Sequence, residues 1–443
     1  GGWRLASAVA NWLLLVLGVV ALVAAIIAPW LVDHVIAPGF APALVQLTAN
    51  LMRLMLVSTV IFSLSGLVMS VLNAFEHFLM PAIAPVMYNL GILFGAIFLA
   101  PRFGVYGLAW GVVLGAGAHA LVQLPMLGRY GARYERLLGL RDRVIGESVR
   151  RVGRLMAPRV LGAAVVQLMF IANTIIASFY DPSVLAALNY AWIVMLLPHG
   201  VFASSIATAV FPTFSRMAAR GERQGMQEGL ARTLGALLFV TLPAAAGLLV
   251  LRVPIIQLLF ERGAFTDQTT VAVAWALLFY APGLIAHSLV EITNRAYFAL
   301  QDTVTPVAIG SVAMLANVGL SLALIPFVGD PTTLARGPQG ALALANTLAS
   351  TLEMVVLLWL LRRKLGGIGG RLVGHSALRM GVAALLMGVA LWFLRQAALL
   401  QGLPLLLYTP LLIALGGVIY LAVAFLLGVE ESRLVRALIP RRW

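Results

Sequence analysis

The stretch HSLVEITNRAYFALQDTVTP, His287 to Pro306, closes a long apolar segment that begins near Val271. The segment has the length and composition of a membrane span, yet Glu291 and Arg295 sit inside it. Their i, i+4 spacing puts both on one helix face, with His287 one turn earlier. The acid precedes the base, which is the more favourable order for such a pair. A lone charge at mid-bilayer costs about 2.5–3.5 kcal/mol on insertion scales, so both side chains are expected to face protein or water. Two readings follow. Arg295, held by Glu291, meets a lipid phosphate in a cleft, or the two neutralise each other and lock helix packing. Arg295 also lies near the end of the span, where its long stem can reach the headgroups.

The rest of the chain makes that helix one of many. Of 443 residues, 62% are hydrophobic and 10% charged, and the mean hydropathy is +1.00. Apolar runs recur along the whole length, and about twelve of them reach the ~20 residues a membrane helix needs. They fall at 6–31, 43–72, 82–100, 105–127, 158–180, 184–211, 233–251, 270–299, 304–328, 340–361, 379–398 and 404–428. The expected fold class is all-α and polytopic. Absence of cysteine excludes disulfides, thiolate metal sites and cysteine nucleophiles. The single lysine, Lys364 in LRRKLGG, excludes a Walker A loop. No His-Glu-x-x-His or Gly-x-Ser-x-Gly motif is present.

The net charge of +14 reads as loop charge rather than a nucleic-acid surface, because the arginines cluster between the apolar runs. Segments 128–157 and 212–232 are the two longer basic connections, expected to lie near the headgroups. With the N-terminus in the cytoplasm, Arg102, Arg252, Arg262, Arg336 and Arg395 fall outside and Arg53 and Arg295 fall within spans. The remaining Lys and Arg are then cytoplasmic, and both termini are expected inside.

An internal repeat organises the spans. A gap-free offset of 225 residues pairs Pro29 with Pro254, Phe40 with Phe265 and Pro81 with Pro306. It preserves membrane orientation, so the repeat is parallel, with its axis along the membrane normal. Spans one to four match spans seven to ten. The expected organisation is therefore an N-terminal bundle, 1–127, a basic linker, 128–157, a six-helix C-terminal bundle, 158–361, and two extra helices with a basic tail, 362–443. On that symmetry about two helices are expected to precede the chain, since spans five and six have no earlier counterpart. The partners of Glu291 and Arg295 at this offset are Gly66 and Ser70, so the position does not demand a charge pair.

Other positions carry weaker signals. Arg53, in LTANLMRLMLV, has no acid nearby in sequence and is a candidate for a cleft role or for a partner on another helix. Glu353, in ASTLEMVVL, is the other acid within a span and a candidate for ion coupling. Gly107, Gly111 and Gly115 form a small-xxx-small stripe expected to pack a helix closely. Pro282-Gly283 is expected to kink its helix, with a hinge as the functional alternative. His119 and His199 read as satisfied interior residues.

The segments LVMSVLNAFEHFLMPAIAPVMYNLG (67–91), GVYGLAWGVVLGAGAHALVQLP (104–125), LLFERGAFT (258–266) and LVEITNRAYFALQDTVTPV (289–307) resemble the lipid II flippase MurJ (MviN) family. That family belongs to the multidrug, oligosaccharidyl-lipid and polysaccharide exporter superfamily, and the resemblance runs over essentially the whole chain. It implies fourteen helices in six, six and two, with MATE-like pseudo-symmetric bundles. It implies translocation of undecaprenyl-pyrophosphate-linked disaccharide-pentapeptide to the outer leaflet by alternating access, with arginines binding the pyrophosphate. Substrate-binding residues would be Arg53 and Arg295, with Glu291. A cation or coupling site would draw on Asn173, Asn317, Ser321, Thr347 and Glu353, and a gate or hinge on Arg262, Gly263, Pro282 and Gly283. The chain departs from the family pattern in two places: Ile193 stands where an arginine is expected, and Asn173 stands where a cation-site aspartate is expected.

The resemblance implies no enzyme activity and no cofactor beyond a coupling Na+ or H+ and the membrane potential. The expected partners are a lipid-linked cell-wall precursor, membrane lipids and cell-wall synthases. Nucleic acid is not among them, and the protein is expected to be a monomer in the bacterial cytoplasmic membrane. Two alternatives remain: another lipid-linked oligosaccharide as cargo, or multidrug antiport. The spans hold few acids for the latter. An intramembrane transferase would need acid or histidine clusters, for which only Asp33-His34 and Glu76-His77 offer doublets.

Overall fold

The computed structural model describes residues 2–138, 142–330, 332–368, 370–397 and 402–432. Every regular element among them is helical, and eleven helical stretches are long and apolar enough to cross a bilayer. The chain divides into two compact units, residues 1–164 and 165–443.

In the first unit, α1 (Gly2–Ile26) and α2 (Ala28–Leu31) lead through a π-helical turn, Val32–Ile36, to α3 (Pro42–Ala74). Then follow α4 (Leu79–Phe94), α5 (Ala100–Phe103), α6 (Val105–Leu121) and α7 (Leu124–Arg129). The glycine stripe on α6 does what its spacing predicts. A methyl group at Gly91 of α4 would overlap the Gly115 backbone, and one at Gly95 would overlap Gly111. Bare backbones thus touch, which is how helices gain van der Waals contact where lipid removes the hydrophobic drive. His119 is satisfied inside this unit: its Nδ1 lies 2.7 Å from Ser65 Oγ, and Gln123 Nε2 donates to the same Ser65 oxygen. The basic connection is anchored on α1, where Asn11 donates to the Glu135 and Leu137 carbonyls and Arg4 pairs with Glu135 and Asp142.

Next comes α8 (Arg143–Ser178), which takes in both the end of the basic linker and the expected span at 158–180. The second unit continues with α9 (Pro182–Pro198), a π-helical turn at His199–Ser204, and α10 (Ser205–Ala219). Asp181 caps α9 by accepting from the Ser183 N–H at 2.8 Å. The expected surface segment 212–232 is not a separate element. α10 runs to Ala219, Gly221 takes the left-handed conformation (φ 68°), and α11 (Arg223–Phe260) starts at once. A glycine turn there lets both helices continue beyond their apolar stretches.

After it come α12 (Asp267–Ala299), α13 (Val304–Leu324), α14 (Gln339–Leu365), α15 (Gly370–Gln396) and α16 (Leu405–Leu426). The core of this unit is the α12–α14 seam, flanked by α11 and α9. Among the described spans, Asp267–Ala299 is the most enclosed, with Ala281, Leu284, Ile292 and Ala296 fully buried. α15 and α16 pack on α11 through Met380, Met387, Leu391 and Leu412. Large apolar side chains stand exposed elsewhere, such as Leu406 at 75% and Leu426 at 86%. In water such a surface would aggregate; in a bilayer it is the face that meets lipid.

Candidate functional site

α12 is held against α14 by polar ties spaced two to three turns apart. Thr347 Oγ1 donates to the Phe279 carbonyl at 2.7 Å. His287 Nε2 lies 3.0 Å from Asn346 Oδ1 and 3.1 Å from Ser350 Oγ. Tyr297 Oη donates to the Leu357 carbonyl at 3.0 Å. The first tie lies one turn before Pro282, whose missing N–H leaves the Leu278 carbonyl without its helical donor. The α14 hydroxyl bonds the neighbouring Phe279 carbonyl, an inter-helix support of the kind that lets membrane helices tolerate proline. α12 accordingly runs unbroken through Pro282. Gly283 is small for a reason of space, since a Cβ there would meet Thr347 Oγ1 at 2.6 Å.

Around this seam α8, α9, α12, α13 and α14 enclose a cavity of about 350 Å3 within the second unit. Glu291 and Glu353 both line it, from α12 and α14 respectively. Glu291 is engaged: Arg295 Nη2 lies 2.9 Å from its Oε1, the ion pair expected from the spacing. Arg295 is thereby turned along its own helix, and its buried Nε has no partner. Glu353 has neither hydrogen bond nor ion pair among the described residues. Its Oε1 lies against α13 at Gly310, where an added Cβ would sit 3.5 Å away.

The other predicted residues separate. Asn173 lines the cavity with its Oδ1 buried and unpartnered. Asn317 and Ser321 on α13 are fully buried, and neither has a partner for its side-chain polar atoms. Thr347 spends its hydroxyl on the Phe279 carbonyl. No group of three or more His, Cys, Asp or Glu capable of holding a metal occurs among the described residues. Arg262 donates to the Leu258 and Leu259 carbonyls at 3.1 Å, capping α11, and Gly263 takes a positive φ of 64° in the turn after it. In the first unit, the exposed Arg53 donates through Nε to the Ala25 carbonyl at 2.8 Å and through Nη1 to Asn50 Oδ1 at 3.0 Å. It thus caps the end of α1 from α3.

Several cavity residues escaped the sequence reading. Trp192 of α9 and Tyr280 of α12 meet edge to face at 5.4 Å, and Trp192 meets Phe170 of α8 at 5.9 Å. Asn294, also lining the cavity, has a buried Oδ1 without a partner. Aromatic residues within an apolar run look like any core position. Asn294 stands between Glu291 and Arg295, and that proximity was the available signal. His199, expected to be an interior residue, lines the cavity from the π-helical turn after Pro198.

Comparison with known proteins places these features in one setting. A family model described as lipid II flippase MurJ matches residues 2–411. The probable lipid II flippase MurJ of Haemophilus influenzae is 30% identical over 425 residues, covering 92% of this chain and 78% of that protein. Its counterpart from Rhizobium meliloti is 32% identical over 431 residues, covering 93% and 77%. A solved lipid II flippase MurJ in an inward closed conformation superposes with a TM-score of 0.78 at 24% identity, covering 99% of this chain and 85% of that one. The bent form of the Vibrio cholerae MATE transporter VcmN shares the fold more distantly, with a TM-score of 0.54, 16% identity and coverage of 82% and 78%.

Proposed function

Since the chain belongs to the lipid II flippase MurJ family, we propose that its helices carry lipid II from the inner to the outer leaflet of the bacterial cytoplasmic membrane. It is a multi-pass membrane transporter that serves peptidoglycan synthesis, and not an enzyme. The observation that carries this reading is the family match, which runs from residue 2 to residue 411.

The translocation proceeds by alternating access of two repeat bundles, as the parallel repeat suggests. Arg53 is the better placed of the two intramembrane arginines to meet a pyrophosphate. It is exposed, and its two bonds to Ala25 and Asn50 leave further N–H donors of the guanidinium fork available. Arg295 contributes less, because Glu291 already takes its Nη2. Coupling to Na+ or H+ falls to the second unit. Asn173, Asn317 and Ser321 offer neutral oxygens without partners, while Glu353 offers a charge. Cell-wall synthases are the partner class that consumes the flipped precursor, and both termini lie on the cytoplasmic side, as the distribution of arginine suggests.

The test is expression of the protein in bacteria depleted of their own lipid II flippase. Growth and lipid II exposure at the outer leaflet should be restored. Normal membrane insertion without rescue would overturn the assignment of this cargo.

A further inference from the structure

The cavity of the second unit has a chemical character that lipid II translocation does not account for. Three of its polar groups are acceptors with nothing to accept from. The Glu353 carboxylate has no partner among the described residues, and the Oδ1 atoms of Asn173 and Asn294 are buried without one. Buried acceptors left in this way are costly, and each asks for a donor. The charge balance points the same way. Arg295 compensates Glu291, so Glu353 leaves the cavity one positive charge short. Neither cavity histidine is bonded to that carboxylate: His287 Nε2 faces Asn346 and Ser350 across the seam, and His199 has the His287 backbone and Glu291 as its neighbours.

The size and lining narrow the missing cation. A bare metal ion needs several oxygens converging at one point, whereas here about 350 Å3 is walled on one side by Trp192, Tyr280 and Phe170. Aromatic walls attract cations through their ring faces. Space of this volume lies within the range of small-molecule sites. An ammonium group fits all of these features, because it carries only donors and brings the one missing charge.

We propose that this cavity binds the protonated amine of a small organic molecule or headgroup, with Glu353 as its counter-ion and Asn173 and Asn294 as hydrogen-bond acceptors. The ammonium has two sources, a free amine or an amino group on the transported headgroup's peptide.

Calorimetry on the purified protein in detergent, without translocation, separates this inference from the cargo reading. Phenethylammonium should bind saturably with one site per chain, and its neutral isostere 2-phenylethanol should not. Glu353→Gln should weaken binding at least tenfold. Asn294→Leu, which leaves the charge in place, should weaken it severalfold, and it serves if the first variant does not fold. Competition then identifies the source. Displacement of the probe by lipid II bearing a free amine, but not by the N-acetylated form, assigns the site to the headgroup; displacement by neither assigns it to a free amine. Failure of phenethylammonium to bind, equal binding to Glu353→Gln, or saturable binding of Na+ alone in its place overturns the proposal.

Discussion

Arg295 Nη2 and Glu291 Oε1 lie 2.9 Å apart on one face of α12, with their side chains about one-third exposed. The two side chains bond each other along their own helix, and the Arg295 Nε remains buried and unbonded. Removing one member therefore leaves a half-buried charge without its partner, whereas removing both leaves an uncharged helix face, as at Gly66 and Ser70 in the repeat. Glu291→Leu should destabilise the protein by about 1–3 kcal/mol, and Glu291→Leu with Arg295→Leu should recover most of that loss. Thermal unfolding of the two single variants and the double variant in detergent gives the coupling. Additive losses would show that each residue has another partner.

The α4–α6 seam of the first unit has no room for side chains, because Gly91 faces Gly115 and Gly95 faces Gly111 backbone to backbone. Gly111→Leu should therefore separate the helices and cost about 1–3 kcal/mol or more, as overpacking does. Gly117→Leu is the control, since nothing lies within 4 Å of its would-be side chain. Unfolding temperatures of the two variants should differ clearly, with the control near the parent.

These glycines also show how far the repeat was legible. α3 and α12 open at Pro42 and Asp267 and close at Ala74 and Ala299, 225 residues apart at both ends. The paired prolines were enough to reveal that register. It still holds where α4 and α13 open, at Leu79 and Val304, and fails at the connection after them, because α6 starts at Val105 and α14 only at Gln339, a separation of 234. In the longer register Gly107, Gly111 and Gly115 match Ala341, Ala345 and Ala349, all three buried. His119 then corresponds to Glu353, so both units carry a titratable group at the same level of the same seam. A gap-free comparison could not show this, since the extra residues sit in a polar connection without pattern. The Glu291–Arg295 pair was legible because helical spacing alone determines it. The lone state of Glu353 and the orphaned Asn173 and Asn294 oxygens were not legible, because they depend on what four other helices fail to place opposite them.

Thr347 and Gly283 form a second fitted contact at the α12–α14 seam. The threonine hydroxyl bonds the Phe279 carbonyl, next to the Leu278 carbonyl that Pro282 leaves without its helical donor, and the glycine makes room for it. Thr347→Val keeps the shape and removes this inter-helix bond, so it should cost about 0.5–1.5 kcal/mol, the net worth of a hydrogen bond. Thr347→Ser keeps the donor and should cost less. Gly283→Ala should be at least as harmful as Thr347→Val, because its methyl would meet Thr347 Oγ1. Should Thr347→Val equal Thr347→Ser in stability, the hydroxyl is not what supports the proline.

Lys364, near the end of α14, reaches back to Asp302 in the turn between α12 and α13, with Nζ 2.6 Å from Oδ2. Asp302 also accepts from the Thr305 N–H and hydroxyl, which fastens the start of α13. The ammonium, with those further bonds, holds the Asp302 carboxyl down at about 2, against an ordinary value of about 3.9. A depressed acid stabilises the folded state at every pH above the ordinary value, and that contribution fades as pH falls from there through the folded value. The Lys364 side chain is 42% exposed, so screening limits the pair to at most about 1 kcal/mol. Asp302→Asn should thus lower the unfolding temperature by a few degrees at neutral pH. The gap between parent and variant should shrink as pH drops from about 4 towards 2, and salt should shrink it at any pH. A gap that stays constant across that acid range would mean that the Thr305 contacts, which an asparagine oxygen can partly keep, matter more than the charge on Lys364.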